Sequence, residues 1–399
     1  MSDAEEIVRI AAKGDGITGG GRHVSLTAPG DRIRTDGSIE RGPHHVEPPC
    51  RHFGRCGNCQ LQHLDDEALT AFVRDRVIHA ATSQGLAIDD LLPVYLSPPR
   101  TRRRTTLHFR AARKGPAALG FAQAGSSAIV DLRQCEVLHP ALFALVEPLR
   151  ETLHDRSWAR GADIALTLCR QGVACDFTNV TEVDNRDRLL LTDFAMANGL
   201  ARLSIDEGYG PDTVWEPEPA QVMLAGVPVR FPVGGFLQPT LDGEAALTQV
   251  AKGWLAGASR VADLFAGLGT FGFALTGPNV HAFEASRASH EACSLAARQG
   301  RLPLVAHHRD LFRNPLQPDE LEAFDAVLLD PPRAGAKSQV EELARSRVSR
   351  VVYISCNPSS WARDTKKLSE AGFRLSEVKP VGQFRWSTHV EIASLLVRE

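Results

Sequence analysis

The chain has 399 residues, 43% of them apolar and 23% charged, average globular usage that excludes disordered, collagenous and disulfide-scaffold classes and leaves room for two or three domains. Its 45 basic and 48 acidic residues give a formal net charge of -3, so no global positive field announces a nucleic-acid partner. Eight cysteines suit a reducing compartment better than a secreted disulfide framework, and with no apolar run near the roughly 20 residues that span a bilayer and no positively charged leader, a cytoplasmic location without membrane contact is expected.

Residues 1 to about 45 alternate short apolar stretches with glycine turns, as in Ile7-Val8-Arg9-Ile10, Gly14-Asp15-Gly16 and Gly19-Gly20-Gly21, which predicts a small β element. Residues 46–90 hold Cys50, Cys56 and Cys59, spaced C-x5-C-x2-C, followed by Leu69, Phe72, Val73 and Val77 at helical spacing; a helix is predicted from Asp65 to Gln84. Cys135 is a fourth candidate ligand, and His52 and His63 stand close in sequence. The spacing by itself favours structural zinc, while an iron-sulfur cluster also takes four thiolates.

Residues 91–235 read as an α+β middle domain, with strands predicted at Ala162 to Cys169, Gly172 to Phe177 and Val227 to Pro232. Near its start lie seven basic residues, Arg100, Arg102, Arg103, Arg104, Arg110, Arg113 and Lys114, with no acidic one between them. Such a stretch is either a solvated basic hairpin or a surface that tracks phosphates.

From 236 to 399 short apolar β runs alternate with helical stretches: Arg260 to Phe265, Val280 to Phe283, Asp325 to Leu329, Val351 to Ile354 and Ile392 to Val397. The alternation predicts an α/β, doubly wound and mostly parallel sheet with helices on both faces, with the ligand beyond the carboxyl ends of the strands. After the first of these strands, Gly267, Gly269 and Gly272 satisfy G-x-G-x-x-G, and Glu284, ending the next strand, could accept hydrogen bonds from ribose hydroxyls. NAD and S-adenosylmethionine (SAM) both suit that geometry. Two further strand ends carry chemistry: Leu329-Asp330-Pro331-Pro332-Arg333, where prolines stiffen the loop, and Ser355-Cys356-Asn357-Pro358, which places a thiol for covalent catalysis. Uracil C5 is too weak a nucleophile to take a methyl group unless a thiolate first adds at C6, and a base must then remove the C5 proton; Glu391 in His389-Val390-Glu391 is the candidate base. His389 reads as a packing or hydrogen-bonding residue.

Together, Asp-Leu-Phe-x-Gly-x-Gly at 263–269, Leu-Asp-Pro-Pro-Arg at 329–333, Ser-Cys-Asn-Pro at 355–358 and His-Val-Glu at 389–391 resemble the RNA 5-methyluridine (uracil-C5) methyltransferases. The resemblance implies a class I SAM-dependent fold and an enzyme with Cys356 as nucleophile and Glu391 as base. It implies cofactor contacts from Gln238, Phe265, Gly267, Gly269, Thr270, Glu284, Asp310 and Asp330. The ribosomal-RNA branch of that family carries a [4Fe-4S] cluster, which would fall on Cys50, Cys56, Cys59 and Cys135, with Gln60 and Gln62 following as here. The first 45 residues resemble a shortened TRAM barrel. RNA is the implied partner, ribosomal rather than transfer RNA, with the basic stretch from Arg100 to Lys114 then expected to track its phosphates, and a monomer is expected. Thr270 and Thr240 stand where the family usually has Asn. A cytosine-C5 methyltransferase and a catalytically silent RNA-binding assembly factor are the alternatives. Cys169, Cys175 and Cys293 are left as core.

Overall fold

A computed structural model describes residues 4–111 and 117–398. The C-terminal half is built on a nine-stranded mixed sheet among the described residues. Leu304–His308, Asn279–Glu284, Arg260–Leu264, Ala326–Leu329 and Arg350–Ser355 lie side by side in parallel. Glu391–Val397 then runs antiparallel to Arg350–Ser355, and Arg374–Gly382 antiparallel to Glu391–Val397. Asp90–Leu91 and Tyr95–Leu96 pair with Arg374–Gly382, so the segment after the first long helix joins this sheet.

Period-two alternation explains why both faces are covered. Ala262, Leu264, Val327, Leu329, Val351 and Tyr353 enter one core with Phe72, Val77, Val340, Trp361 and Leu368. The intervening Val261, Ala326, Leu328, Val352 and Ile354 enter the other with Leu247, Ala251, Ala292 and Ala296. The predicted helix is Asp66–Ser83, started by Asp65, whose carboxylate accepts from the Ala68 amide. The expected strands are all present. Leu304–His308 and Arg374–Gly382 were not foreseen, because two histidines interrupt the apolar run of one, and a register shift between Leu375 and Glu377 breaks the alternation of the other.

Trp361 shows how the helix Pro358–Glu370 is locked to this sheet. Its indole is fully buried and donates to Ser394 Oγ at 2.9 Å, while Tyr353 on the neighbouring strand donates to Asp364 Oδ2 at 2.7 Å. Trp361→Ala is expected to cost about 3–5 kcal/mol, read as a lower urea midpoint at unchanged slope.

The middle domain has a seven-stranded sheet. Leu107, Phe109, Ile164, Leu166, Val173, Cys175 and Leu203 on one face pack with Leu149, Leu153, Leu191 and Phe194 from its helices. At the N-terminus, five strands form an antiparallel sheet centred on Glu5–Ile10, where a register shift between Ile7 and Arg9 curls it. Among the described residues no helix is long and apolar enough to cross a membrane. Cys169, Cys175 and Cys293 are buried among apolar side chains.

Candidate functional site

The carboxyl ends of the parallel strands gather the predicted residues at one edge. Beyond Arg260–Leu264 the chain turns with Phe265 at φ 63°, Gly267 at 56° and Gly269 at 88°. A side chain on Gly269 would stand 2.7 Å from Phe273 and 2.8 Å from Cys293 Sγ, so glycine is required there for both conformation and space. Glu284 ties this loop to the next strand: its carboxylate accepts from the Gly267 amide at 2.9 Å and the Ser286 amide at 2.6 Å. Asp263 accepts from the Gly272 amide at 2.9 Å, and its second oxygen is buried without a partner. Phe265 packs against the exposed Phe312, ring centres 5.3 Å apart. Asp310, beside them, accepts from the Phe312 amide.

A second group of residues approaches from outside the motif loops. Gln238 is 3% exposed and donates to Asp330 Oδ2 at 3.5 Å. Its carbonyl oxygen accepts from Gln383 Nε2 at 2.9 Å, leaving Gln383 Oε1 buried and unpartnered. Gln383 adjoins Glu391, so a chain of amides and carboxylates runs Asp330, Gln238, Gln383, Glu391. Sequence reasoning missed Gln383, which stands eight residues before Glu391 without a motif of its own; its sole signal is burial.

Electrostatics distinguish these acids from surface carboxylates. Burial pushes Glu391 up to about 7, against the opposing effects of the Gln383 amide and the Arg333 guanidinium. Asp263 also rises to about 7, chiefly through desolvation. Asp330 is driven well above the ordinary carboxylate range by desolvation, then by the charges of Glu391 and Asp263. Cys356, half-buried, is pushed up to about 11 by burial and then by Glu391 and Asp330, with Arg333 opposing. The thiol directly precedes Asn357, the N-cap of Pro358–Glu370, where the positive end of the helix favours a thiolate. Asn357 Nδ2 also donates to the Arg333 carbonyl at 2.9 Å, fastening the Cys356 loop to the Asp330 loop. The site therefore concentrates acidic groups that a cation such as the SAM sulfonium would compensate.

The two departures have different surroundings. Thr240 is the N-cap of Leu241–Trp254, accepting from the Gly243 amide at 3.0 Å. Threonine and asparagine both cap helices, so the change preserves this structural role. Thr270 is 8% exposed within the glycine loop.

The four cysteines outside the sheet converge. Cys50, Cys56, Cys59 and Cys135 line one cavity, with Phe53, Gln62, Phe121 and Leu132 around them. Burial raises Cys59 to about 12, opposed by a hydrogen bond to Gln62 and reinforced by the other three thiols. Gln62 Oε1 accepts from the Cys50 amide. His52 reaches the cavity, but its Nε2 accepts from the Arg133 amide at 3.0 Å; His63 bonds to the Thr27 carbonyl at 3.0 Å and does not line the cavity.

The basic stretch divides. Arg103 turns inward, pairing with Glu244 and donating to the Gln238 carbonyl at 2.9 Å, so it tracks no phosphate; Glu244, itself buried, supplies its counter-charge. Arg100 pairs with Glu136, and Arg110 with Asp163. Arg104 lies over the exposed Phe236 ring at 4.8 Å, at the end of the loop leading to Gln238. Arg113 and Lys114 lie outside the described residues. The wide depression lined by Arg347, Arg374 and Arg398 is at the opposite end of the sheet and takes no part in this constellation.

The family model described as tRNA (Uracil-5-)-methyltransferase matches residues 305–399. Over 99% of this chain and 100% of the relative, the sequence is 44% identical to an uncharacterized RNA methyltransferase of Zymomonas mobilis. It is 31% identical to the 23S rRNA (uracil(1939)-C(5))-methyltransferase RlmD of Chromohalobacter salexigens, over 100% of this chain and 90% of that protein. The crystal structure of Pyrococcus abyssi tRNA (uracil-54, C5)-methyltransferase in complex with S-adenosyl-L-homocysteine matches with a TM-score of 0.78 at 23% identity, covering 99% of both chains, a likeness of fold.

Proposed function

Since the chain belongs to the RNA uracil-C5 methyltransferase family and is a SAM-dependent RNA methyltransferase, we propose that it forms 5-methyluridine in 23S ribosomal RNA, with Cys356 as nucleophile and Glu391 as base. The observation that carries the catalytic assignment is the grouping of a half-buried thiol at a helix N-terminus with a buried carboxyl raised to about 7. The 23S target draws support from the relative named for that RNA, which matches this chain from end to end.

Cys356 Sγ adds to uracil C6, making C5 an enolate carbon. The cofactor supplies the methyl group that C5 takes. Glu391 then removes the C5 proton, the C6–S bond breaks, the C5=C6 double bond returns and the thiolate is released. Glu284, Asp330, Gln238 and the 265–270 loop are the cofactor-side residues in this reading, with Asp310 and Phe265 at its rim. The target base must leave any stack to reach Cys356.

A [4Fe-4S] cluster on Cys50, Cys56, Cys59 and Cys135 is part of the proposal. Among the described residues no three His, Cys, Asp or Glu side chains are grouped to hold one metal ion. Four thiols lining one cavity could give one thiolate to each iron of a cluster or could bind zinc, and the resemblance to the ribosomal-RNA branch is what favours the cluster. Methyl transfer requires no electron, so in this reading the cluster serves structure or RNA positioning rather than redox catalysis.

Incubating anaerobically purified protein with labelled SAM and unmodified 23S or transfer RNA, then mapping 5-methyluridine, tests the target; label in transfer RNA alone would refute 23S RNA. About four irons per chain and brown colour are expected, and stoichiometric zinc would refute the cluster.

The pH dependence follows from Glu391. A carboxyl raised to about 7 is protonated below that pH and cannot act as base, so release of methylated RNA should rise with pH through about 7 and level above it. At pH 6 a denaturation-resistant protein–RNA adduct should accumulate on gels. The same shift has the opposite sign for folding: the stability that neutral Glu391 contributes is complete below the unfolded carboxyl value near 4.5 and is lost as pH rises through about 7.

A further inference from the structure

We infer that Arg102 is a positioning residue that couples the four-thiol cavity to the strand carrying Glu391. The inference rests on the cluster reading above and concerns what the cluster does for the site.

Arg102 forms no ion pair with a carboxylate among the described residues, and the nearby groups able to become its counter-charge are the thiols of Cys135, Cys59 and Cys56, neutral until they are deprotonated. A desolvated guanidinium without a counter-ion is unfavourable. Four thiolates held around iron carry net negative charge and supply what Arg102 lacks. One side of the guanidinium is fixed to the cluster segment, since Nη1 donates at 3.0 Å to Asn58 Oδ1, between Cys56 and Cys59. Its Nε donates to the Arg104 carbonyl at 3.1 Å.

The other side faces the catalytic loop. The guanidinium lies 5.5 Å from the centre of the Phe384 ring, whose own centre is 5.5 Å from that of His389, two residues before Glu391. A second strap runs alongside: the amides of Gln60 and Leu61, directly after Cys59, donate to the Trp386 carbonyl at 2.8 and 2.9 Å. The main chain of Arg102 completes the junction. It bridges Leu138, three residues past Cys135, and Thr240, two residues past Gln238. Arg102 thus touches the cysteine segments, the Gln238 loop and the Phe384–His389 loop at one point, and an empty cavity leaves its charge uncompensated at that junction.

The test uses anaerobically purified full-length Arg102→Met and Arg102→Lys. Three quantities are read: cluster reduction potential by EPR-monitored titration, single-turnover methyl transfer to transcribed 23S RNA, and affinity for S-adenosylhomocysteine as a fold control. Removing a cation beside the cluster disfavours adding an electron, so Arg102→Met should lower the potential. It should also slow transfer about tenfold or more with cofactor affinity within twofold. Arg102→Lys, which keeps the charge, should recover the potential and part of the rate, and it decides the matter if the Met variant does not fold. Removing the cluster by chelation should slow the parent enzyme and slow Arg102→Met no further. A lowered potential with unchanged rate, a slowed rate with unchanged potential, or losses that multiply would each overturn the coupling. Parent protein lacking iron would instead refute the cluster reading, and parent protein inactive on 23S RNA the target reading.

Discussion

Cys356→Ala should lose methyl transfer by about 10⁴-fold or more, because no other group on the site can add to uracil C6 and C5 then never becomes nucleophilic. The variant should fold and bind S-adenosylhomocysteine as the parent does. Cys356 is half-buried, so removing its sulfur leaves only a small void. Glu284 and the glycine loop, which hold each other through the Gly267 amide, are untouched. Single-turnover transfer and calorimetric cofactor binding separate the two effects, and transfer retained within tenfold would remove Cys356 from the mechanism. The thiol value of about 11 adds a constraint. At pH 7 only about one site in 10⁴ carries a thiolate before ligands arrive, so the nucleophile must be generated as cofactor and base assemble. A sulfonium close to Asp330 and Glu391 would offset the carboxylates that hold the thiol up.

The second large effect concerns release. Glu391→Gln keeps the side-chain shape and its place beside Gln383 but cannot accept the C5 proton, so methylated RNA should remain bonded to Cys356. Addition should not be slowed. The Glu391 charge is one of the groups that raise Cys356 and Asp330, and removing it eases thiolate formation. The expected result is a methyl-labelled protein–RNA adduct that survives denaturation, with release slowed about 10²- to 10⁴-fold. Release of methylated RNA at the parent rate would show that another base acts. Unlike the parent at pH 6, the variant should hold its adduct at pH 8, which separates loss of the base from its simple protonation.

Parts of this site were readable in the chain because they are short-range. The Asp-Leu-Phe-x-Gly-x-Gly turn, the Asp-Pro-Pro-Arg loop and Ser-Cys-Asn-Pro each occupy the end of one strand. Local conformation dictates the residue types there: positive φ at Gly267 and Gly269, and an N-cap at Asn357. The alternating β and α pattern implied the layered sheet for the same reason, since periodicity is a property of adjacent residues. The basic stretch misled in part. Arg103 immediately precedes the strand Arg104–Arg110, and only the fold shows that its side chain turns inward to Glu244.

By itself, then, the sequence determined the sheet-forming segments, the residue types at three strand ends and, through resemblance, the family. Tertiary structure alone decided what those residues experience. Gln383 reaches Gln238 across 145 positions of chain, Glu391 is carried to the thiol by an antiparallel strand, and Cys135 joins Cys50, Cys56 and Cys59 around one cavity. Acidity at Glu391 and Cys356 depends on desolvation and on charges brought near by folding, and neither quantity is a property of local sequence. Arg102 shows the difference most plainly: in the chain it is one of seven basic residues, and in the folded protein it stands between Asn58 of the cysteine segment and the loop that leads to Glu391.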